Sequence, residues 1–297
     1  MKQLSVKPNH TILALSIAVW SLFLSGLAYG DDMRVATFNT ESAADTHWFE
    51  VATTIRDAGR VDVWLLQEVE SEQAAARYAE AAAAWGGNSY RFVVSESGAN
   101  ISPHRSNDHL AVVYNSTKLR HIETVELHSV RSVPGDGPFG EPKWRLRGAL
   151  FVRLYDRSTN VEFYVGNVHL KCCDAGKDTR THQTKLLRNW VDRSDVPVIL
   201  AGDFNISISP QAENSNLSST AFTNLNDAMT WLRPTNPTKT QCSPRYNSML
   251  DHFFLKAQNS VTVKVVEILQ PDPAYCDAEA HGGADHRPVL GAFTFGK

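Results

Sequence analysis

Three things are scarce in this 297-residue chain. Beyond residue 30, no apolar run approaches the ~20 residues that a membrane-spanning helix needs, so no later stretch can cross a bilayer as a helix. Cysteine occurs only four times, at 172, 173, 242 and 276, without the paired CxxC knuckles usual in four-cysteine zinc sites, so disulfides are expected in preference to zinc. A bond between neighbouring cysteines is strained, and Cys172 and Cys173 are therefore expected to pair with Cys242 and Cys276, in one order or the other. Charge of one sign is also lacking: 29 Lys and Arg face 32 Asp and Glu, for a net −3. Such a surface does not grip polyanions everywhere, and any nucleic-acid binding must come from a local patch. No fixed-period repeat and no low-complexity linker divides the chain.

Residues 1–30 have their own pattern. Lys2 and Lys7 precede an apolar stretch over 11–24, and small residues follow at 25–30, which is the layout of a secretory signal peptide rather than an uncleaved anchor. Cleavage is expected after Ala28 or Gly30. It would leave residues 31–297 as one domain of net charge −5, secreted or periplasmic, monomeric and without a stable membrane anchor. That length can bury a sizeable core.

Apolar runs predict strands at 33–38, 61–66, 90–94, 110–114, 119–127, 145–154, 161–168, 196–201, 249–255, 261–269 and 288–295. Helical spacing predicts helices at 48–58, 71–85 and 179–191, and one within 214–231. Segments 95–108, 132–142, 233–245 and 271–285 read as loops. The pairs 110–114/119–127 and 145–154/161–168 flank short turn sequences and read as antiparallel hairpins, which argues against a plain Rossmann sheet. The fold class is thus α/β in the α+β sense, two packed sheets flanked by helices.

Polar residues recur just past the strand ends. Asn39 and Glu41 follow the first strand and Glu68 follows Val-Trp-Leu-Leu-Gln. Asn167 and His169 follow Phe-Tyr-Val-Gly, and Asp203 and Asn205 follow Val-Ile-Leu-Ala-Gly. Asp251 and His252 follow Ser-Met-Leu, while Asp285 and His286 precede the last strand. Isolated residues of this kind are ordinary turn punctuation. Six groups drawn only from Asp, Glu, Asn and His are a chemical pattern. Carboxylates and an amide suit a hard cation such as Mg²⁺ or Mn²⁺, and histidines beside carboxylates suit proton transfer near neutral pH. Together they point to metal-assisted cleavage of a phosphoester.

In this order, Asn39, Gln67-Glu68, Asn167-Val168-His169, Gly202-Asp203-Phe204-Asn205, Leu250-Asp251-His252 and Asp285-His286-Arg287-Pro288-Val289 resemble the motifs of the endonuclease/exonuclease/phosphatase superfamily, the DNase I-like fold. The likeness runs from about 34 to 295. It implies a four-layered α/β-sandwich with the site at one end of two mixed sheets. It also implies roles: Glu68 as principal metal ligand with Asn39 beside it and Asp285 as a further metal-side carboxylate, and Asp203 and Asn205 positioning the attacking water. His286 would contact the phosphate, oriented by Asp251, and His169 would act as general acid or phosphate contact. Arg147 and Asn167 would bind substrate. Glu41 is a further candidate ligand, and Asp108 or Asn107 would orient His169. His252, on the opposite strand face from Asp251, reads as structural. Lys143, Arg145 and Arg147 alternate and would share one strand face.

The function so implied is a secreted, Mg²⁺- or Mn²⁺-dependent endonuclease acting on DNA or RNA without sequence specificity. One alternative is a sphingomyelinase-like lipid phosphodiesterase, for which Pro138-Phe139 and Trp144 are the nearest apolar candidates. Another is a toxin subunit or binding protein that uses the fold to engage a partner.

Overall fold

A computed structural model describes residues 32–41, 47–85, 87–98, 107–140, 147–212, 219–258, 261–270 and 272–296. The expected leader at 1–30, Arg105, Pro142, Lys143, Trp144 and Arg145 lie outside the described residues. In chain order the elements are β1 (Met33–Asn39), α1 (Trp48–Asp57), β2 (Val63–Val69), α2 (Glu72–Ala83), β3 (Tyr90–Val94), β4 (His109–Asn115), β5 (Leu119–Leu127), β6 (Ser132–Val133), β7 (Gly137–Pro138), β8 (Ala149–Asp156), β9 (Val161–His169), α3 (Lys177–Asp192), β10 (Val198–Ile208), α4 (Thr220–Asn226), β11 (Thr230–Leu232), β12 (Met249–Lys256), β13 (Val261–Ile268) and β14 (Val289–Phe295).

Two six-stranded mixed sheets result, in the orders β13-β14-β1-β2-β4-β3 and β11-β12-β10-β9-β8-β5. Their central strands are apolar at consecutive positions because both faces are covered. In β2, Val63 and Leu65 join the core shared with the second sheet, while Trp64 and Leu66 alternate outward onto Val51 and Ile55 of α1 and Tyr78 of α2. On the far side, Leu186, Leu187 and Val191 of α3 and Phe222 and Leu225 of α4 cover the second sheet, and Trp190 stacks on Phe151 with ring centroids 3.7 Å apart. Helix, sheet, sheet and helix make the four expected layers.

Helix ends follow local chemistry. The Ser71 and Ser219 side chains accept from Ala74 N and Phe222 N, both at 3.2 Å, and cap α2 and α4.

The topology decides where polar strand ends meet. β1 and β2 are parallel, with Asn39 opposite Gln67, and β9 and β10 are parallel, with His169 opposite Asp203. Each parallel pair is joined through a helix, and both strands of a pair end at the same edge. The antiparallel neighbours β4, β8, β12 and β14 therefore begin at that edge. Parallel strands contribute the residues at their C-terminal ends and antiparallel strands those at their start. Thus Asp108, Arg147, Asp251 and His286 join Asn39, Glu68, His169 and Asp203.

Several expectations need correction. β4 and β5 do not form a hairpin: β4 pairs with β2 and β3, while β5 crosses to the other sheet and pairs with β8. The β8–β9 hairpin forms, with Ala149 opposite Val168 and Asp156 opposite Val161. β6 and β7 form a small ribbon inside the expected loop at 132–142, and a 3₁₀ helix spans Pro273–His281 inside the loop at 271–285. β10 does not stop at Gly202; it runs to Ile208, with a register shift between Asp203 and Ile208.

Gly202 explains why glycine is needed within that strand. Its φ is +150°, and a Cβ there would overlap the Val168 carbonyl oxygen and lie 2.9 Å from the Val168 carbonyl carbon. Backbone from the adjacent strand cannot yield as a flexible side chain could. Gly202→Ala is therefore expected to destabilise the protein by about 3 kcal/mol, the range of severe overpacking. Chemical denaturation would measure it, and a loss below about 1 kcal/mol would show that β9 and β10 can separate there.

Candidate active site

Among the described residues at this edge, Glu41 (φ 48°), Glu68 (φ 53°) and Asn205 (φ 50°) have left-handed backbone although none is glycine. Such geometry costs roughly 1–2 kcal/mol per residue and survives only where the surroundings impose it. Register shifts between Leu66 and Val69 and after Asp203 coincide with two of them. These bulges break the strand alternation and re-aim the Glu68 and Asn205 side chains.

Asp203, almost fully buried, is the hub. Its Oδ1 accepts from Asn205 N at 2.8 Å. Its Oδ2 lies 3.3 Å from Asn39 Nδ2, 3.3 Å from His169 Nε2 and 4.0 Å from His286 Nε2. Two imidazoles therefore face one carboxylate. A cavity of about 430 Å³ opens over it, lined by Glu68, His169, Asp203, Asn205 and His286. Glu68, Asp203, Asn205, His169 and His286 are thus brought together as expected.

Each histidine has a carboxylate behind it. Asp251 Oδ2 lies 2.8 Å from His286 Nδ1, and Thr240 Oγ1 accepts from Asp251 N at 3.3 Å. Burial, the largest single influence, would lower the pKa of His286, but the charge and hydrogen bond of Asp251 together with the charges of Asp203 and Asp285 outweigh it, so the imidazole is raised well above 6.5. The sign follows: this pair stabilises the fold fully below the unfolded value near 6.5, and the contribution is lost as pH rises through the higher folded value. Asp251→Asn should bring the His286 titration down, as read from its imidazole C2 proton by NMR; an unchanged titration would assign the raised value to Asp203 and Asp285.

Behind His169, Asp108 Oδ1 lies 3.6 Å from Nδ1, and among the described residues neither atom has a hydrogen-bond partner. Burial would raise the Asp108 carboxyl, yet the Arg147 guanidinium and the His169 imidazole hold it down to about 2. Of the two residues expected to orient His169, Asp108 is so placed, whereas Asn107 donates to Glu70 O at 3.0 Å.

Two assigned roles are corrected, those of Arg147 and Asn167. Arg147 does not line the cavity: its Nε donates to His169 O at 3.0 Å and its Nη1 to Asp108 Oδ2, so it positions the His169 strand end rather than substrate. Asn167 is fully buried, donating to Leu66 O at 2.8 Å and Ala111 O at 2.9 Å and accepting from Gln67 Nε2 at 2.7 Å. It ties the two sheets together and is closed to substrate. Asn39 turns its Nδ2 toward Glu68 Oε1 at 3.0 Å, while its Oδ1 accepts from Glu41 N at 3.0 Å. Asn39 thus stands beside Glu68 and Asp203, where the metal-side residues were expected.

Asp285 stands beside His286, with Oδ1 3.9 Å from His286 Nε2, and accepts from Gln241 Nε2 at 3.2 Å. Glu41 Oε2 accepts from Asp285 N at 2.9 Å. Gln241 and Thr240 are partners that the sequence does not announce, because they sit in a proline-rich loop with no strand pattern around them. His252 is structural as expected: its Nε2 lies 2.8 Å from Ile206 O, and burial lowers its pKa.

The cysteines depart from expectation. Cys242 pairs with Cys276, and Cys172 and Cys173 are free. The bond bridges two segments that hold the Asp285–His286 pair: Cys242 N donates to Asp285 O at 2.6 Å, and Tyr275 Oη donates to His286 O at 3.1 Å.

Among the described residues, no three of His, Cys, Asp or Glu form a ready-made metal cluster. That is compatible with Mg²⁺, which is usually held by one or two carboxylates plus substrate oxygens and water. Glu68, with its side chain 30% exposed, offers a hard oxygen to the cavity.

Solved structures share this architecture. An endonuclease/exonuclease/phosphatase from Bacteroides vulgatus superposes with a TM-score of 0.64 at 17% identity, covering 89% of this chain and 99% of that one. A Bacteroides thetaiotaomicron mannosyl-6-phosphatase gives 0.62 at 20% identity, covering 89% and 100%. D. rerio TDP2 complexed with a single-strand DNA product gives 0.62 at 15% identity, covering 89% and 99%. A search of curated protein sequences finds no match. The model of the Endonuclease/Exonuclease/phosphatase family matches residues 36–286, which takes in every strand end described above from Asn39 to His286. The chain belongs to that family of phosphoester hydrolases.

Proposed function

We propose that the protein is a divalent-metal-dependent phosphodiesterase that cleaves nucleic-acid backbones, DNA foremost, without sequence specificity. The observation that carries this reading is the pair of carboxylate-backed imidazoles, Asp251–His286 and Asp108–His169, converging on Asp203. A cavity of about 430 Å³ exceeds what one phosphate fills and leaves room for a nucleotide beside it. Tyr246, 56% exposed, lines the same cavity and offers a stacking face that would tolerate any base.

In this reading Asp203 accepts the proton of the attacking water, its carboxylate fixed by the Asn205 N–H. His286, held charged by Asp251, donates from Nε2 to a phosphate oxygen. His169, with Asp108 behind it, donates to the departing oxygen. Glu68 and Asp285 are the carboxylates that would hold the divalent ion, and the ion would supply neutralisation of the charge that develops on phosphate. We further propose that residues 1–30 direct export and are removed.

One observation favours a second reading. Trp48 and Phe49 are 45% and 47% exposed at the start of α1, and the preceding His47 N donates to Gly282 O, in the segment entering Asp285. Exposed aromatics beside a site suit a lipid surface. Phe139, one earlier candidate for that role, is fully buried. The test incubates the protein with supercoiled plasmid, single-stranded DNA, RNA, sphingomyelin liposomes and a phosphomonoester, each with Mg²⁺, Mn²⁺ or EDTA. Metal-dependent plasmid nicking is expected. Release of phosphocholine without nicking would move the assignment to lipid, and hydrolysis of the monoester alone would overturn both readings.

A further inference from the structure

Cys172 and Cys173 leave β9 three and four residues after His169. Successive side chains of an extended chain point to opposite sides, so neighbouring sulfurs ordinarily diverge. Here they are 2.6 Å apart, both exposed and free, and both line the cavity with His169, Asp203 and His286. The backbone makes this possible. Cys173 has φ 70° and ψ 166°, a combination that is essentially confined to glycine. Its surroundings impose it: Arg180 Nη1 donates to both Lys171 O and Cys173 O at 2.7 Å, and Gly176 N donates to Cys173 O at 3.1 Å. The two remaining cysteines of the chain are bonded to each other, so this pair has no other thiol within the chain.

We propose that Cys172 and Cys173 form a modification site in the cavity wall: a vicinal dithiol that a small-molecule disulfide, such as oxidised glutathione, converts to a ring disulfide. One thiolate attacks a sulfur of the reagent, releasing one thiol and leaving a mixed disulfide. The neighbouring thiolate then attacks the modified cysteine sulfur, closing the ring and releasing the second thiol. Two electrons and two protons pass from the pair to the reagent, and one disulfide is exchanged for another. The closure is intramolecular between positioned groups and outruns the first step. Burial and the adjacent sulfur push the Cys172 thiol up. Adjacent Cα atoms are about 3.8 Å apart, short of the usual span for a disulfide, so the ring is strained and easily reduced again.

The cysteines line the cavity, so the ring changes the wall that substrate meets. Resting on the phosphodiesterase reading, the expected effect is a roughly threefold to tenfold change in KM, with kcat within about twofold.

The chemical test does not depend on that reading. The full chain is treated with oxidised glutathione, alkylated with iodoacetamide and digested with trypsin. Cleavage after Lys171 and Lys177 releases residues 172–177, which hold both thiols and no other cysteine. That peptide is expected without alkyl groups, lighter by two hydrogens than the dithiol, and to take two alkyl groups after reduction. In Cys173→Ser the reaction should stop at a glutathione adduct on Cys172. Two alkyl groups on the treated wild-type peptide, a persistent adduct on it, or a cross-link to the peptides of Cys242 or Cys276 would overturn the proposal. A ring without any phosphoester hydrolysis would sink the functional reading alone; hydrolysis without a ring would sink this inference alone.

Discussion

Asp203→Asn is expected to lower kcat by about 10³–10⁴-fold, the range attached to a positioned general base together with the charge it places in the transition state. The substitution keeps the volume of the side chain, and one oxygen can still accept from Asn205 N. It removes the negative charge that lies between the two imidazoles, 3.3 Å from His169 Nε2 and 4.0 Å from His286 Nε2. It also places an amide N–H₂ against Asn39 Nδ2, another donor, 3.3 Å from the present carboxylate oxygen. The variant cannot take a proton from water, and added metal cannot restore that capacity. Plasmid nicking gives kcat, and circular dichroism shows whether the fold persists. A folded variant retaining more than about a tenth of the activity would show that the proton goes elsewhere.

Most of the strands were legible because an apolar run leaves little alternative to burial. Tyr90–Val94 and Leu119–Leu127 fall on the expected residues. What the pattern could not supply was partnership. The short segment after Asn115 has the composition of a hairpin turn, whether the chain folds back or crosses to the other sheet. A signal did exist: β4 is buried almost throughout, whereas β5 alternates irregularly and exposes Arg120, His121, Glu123 and Thr124, as an edge strand does.

The site was legible as a set of residue types at strand ends, and less so as a set of roles. Asn167 and His169 lie on the same face of β9, two residues apart. One pleat deeper, the gap is closed by Gln67 of the other sheet, and the same amide becomes a staple instead of a substrate contact. Depth along a strand is a tertiary quantity that period-2 reasoning does not contain. Arg147 illustrates the same point, since only the fold shows that Asp108 and the His169 carbonyl have claimed its Nη1 and Nε donors. The cysteine pairing was misjudged because strain was weighed against a cross-link whose spatial reach was unknown. Cys242 and Cys276, 34 residues apart in sequence, are brought within a Cα separation of 5.1 Å by the loops beside Asp285.

Glu68→Gln should behave differently from Asp203→Asn, and the contrast separates the two roles. Glutamine preserves the volume and an oxygen able to accept from Asn39 Nδ2, now 3.0 Å from Oε1, while it removes the charge that would hold a divalent ion. The Mg²⁺ concentration needed for half-maximal activity is expected to rise by about 10–100-fold or more, with partial recovery of kcat at saturating Mg²⁺. EDTA should abolish activity in the wild type, and Mn²⁺ should restore it. Because Glu68 sits at φ 53°, glutamine inherits the same backbone strain, so any stability difference reports charge rather than conformation. Calorimetric titration with Mn²⁺ gives a second readout, independent of turnover: binding to the wild type should weaken in the variant. If affinity and metal dependence were both unchanged while kcat collapsed, Glu68 would be acting on the substrate directly, and the ion would have to be held without it, with Asp285 as the remaining carboxylate assigned to that role.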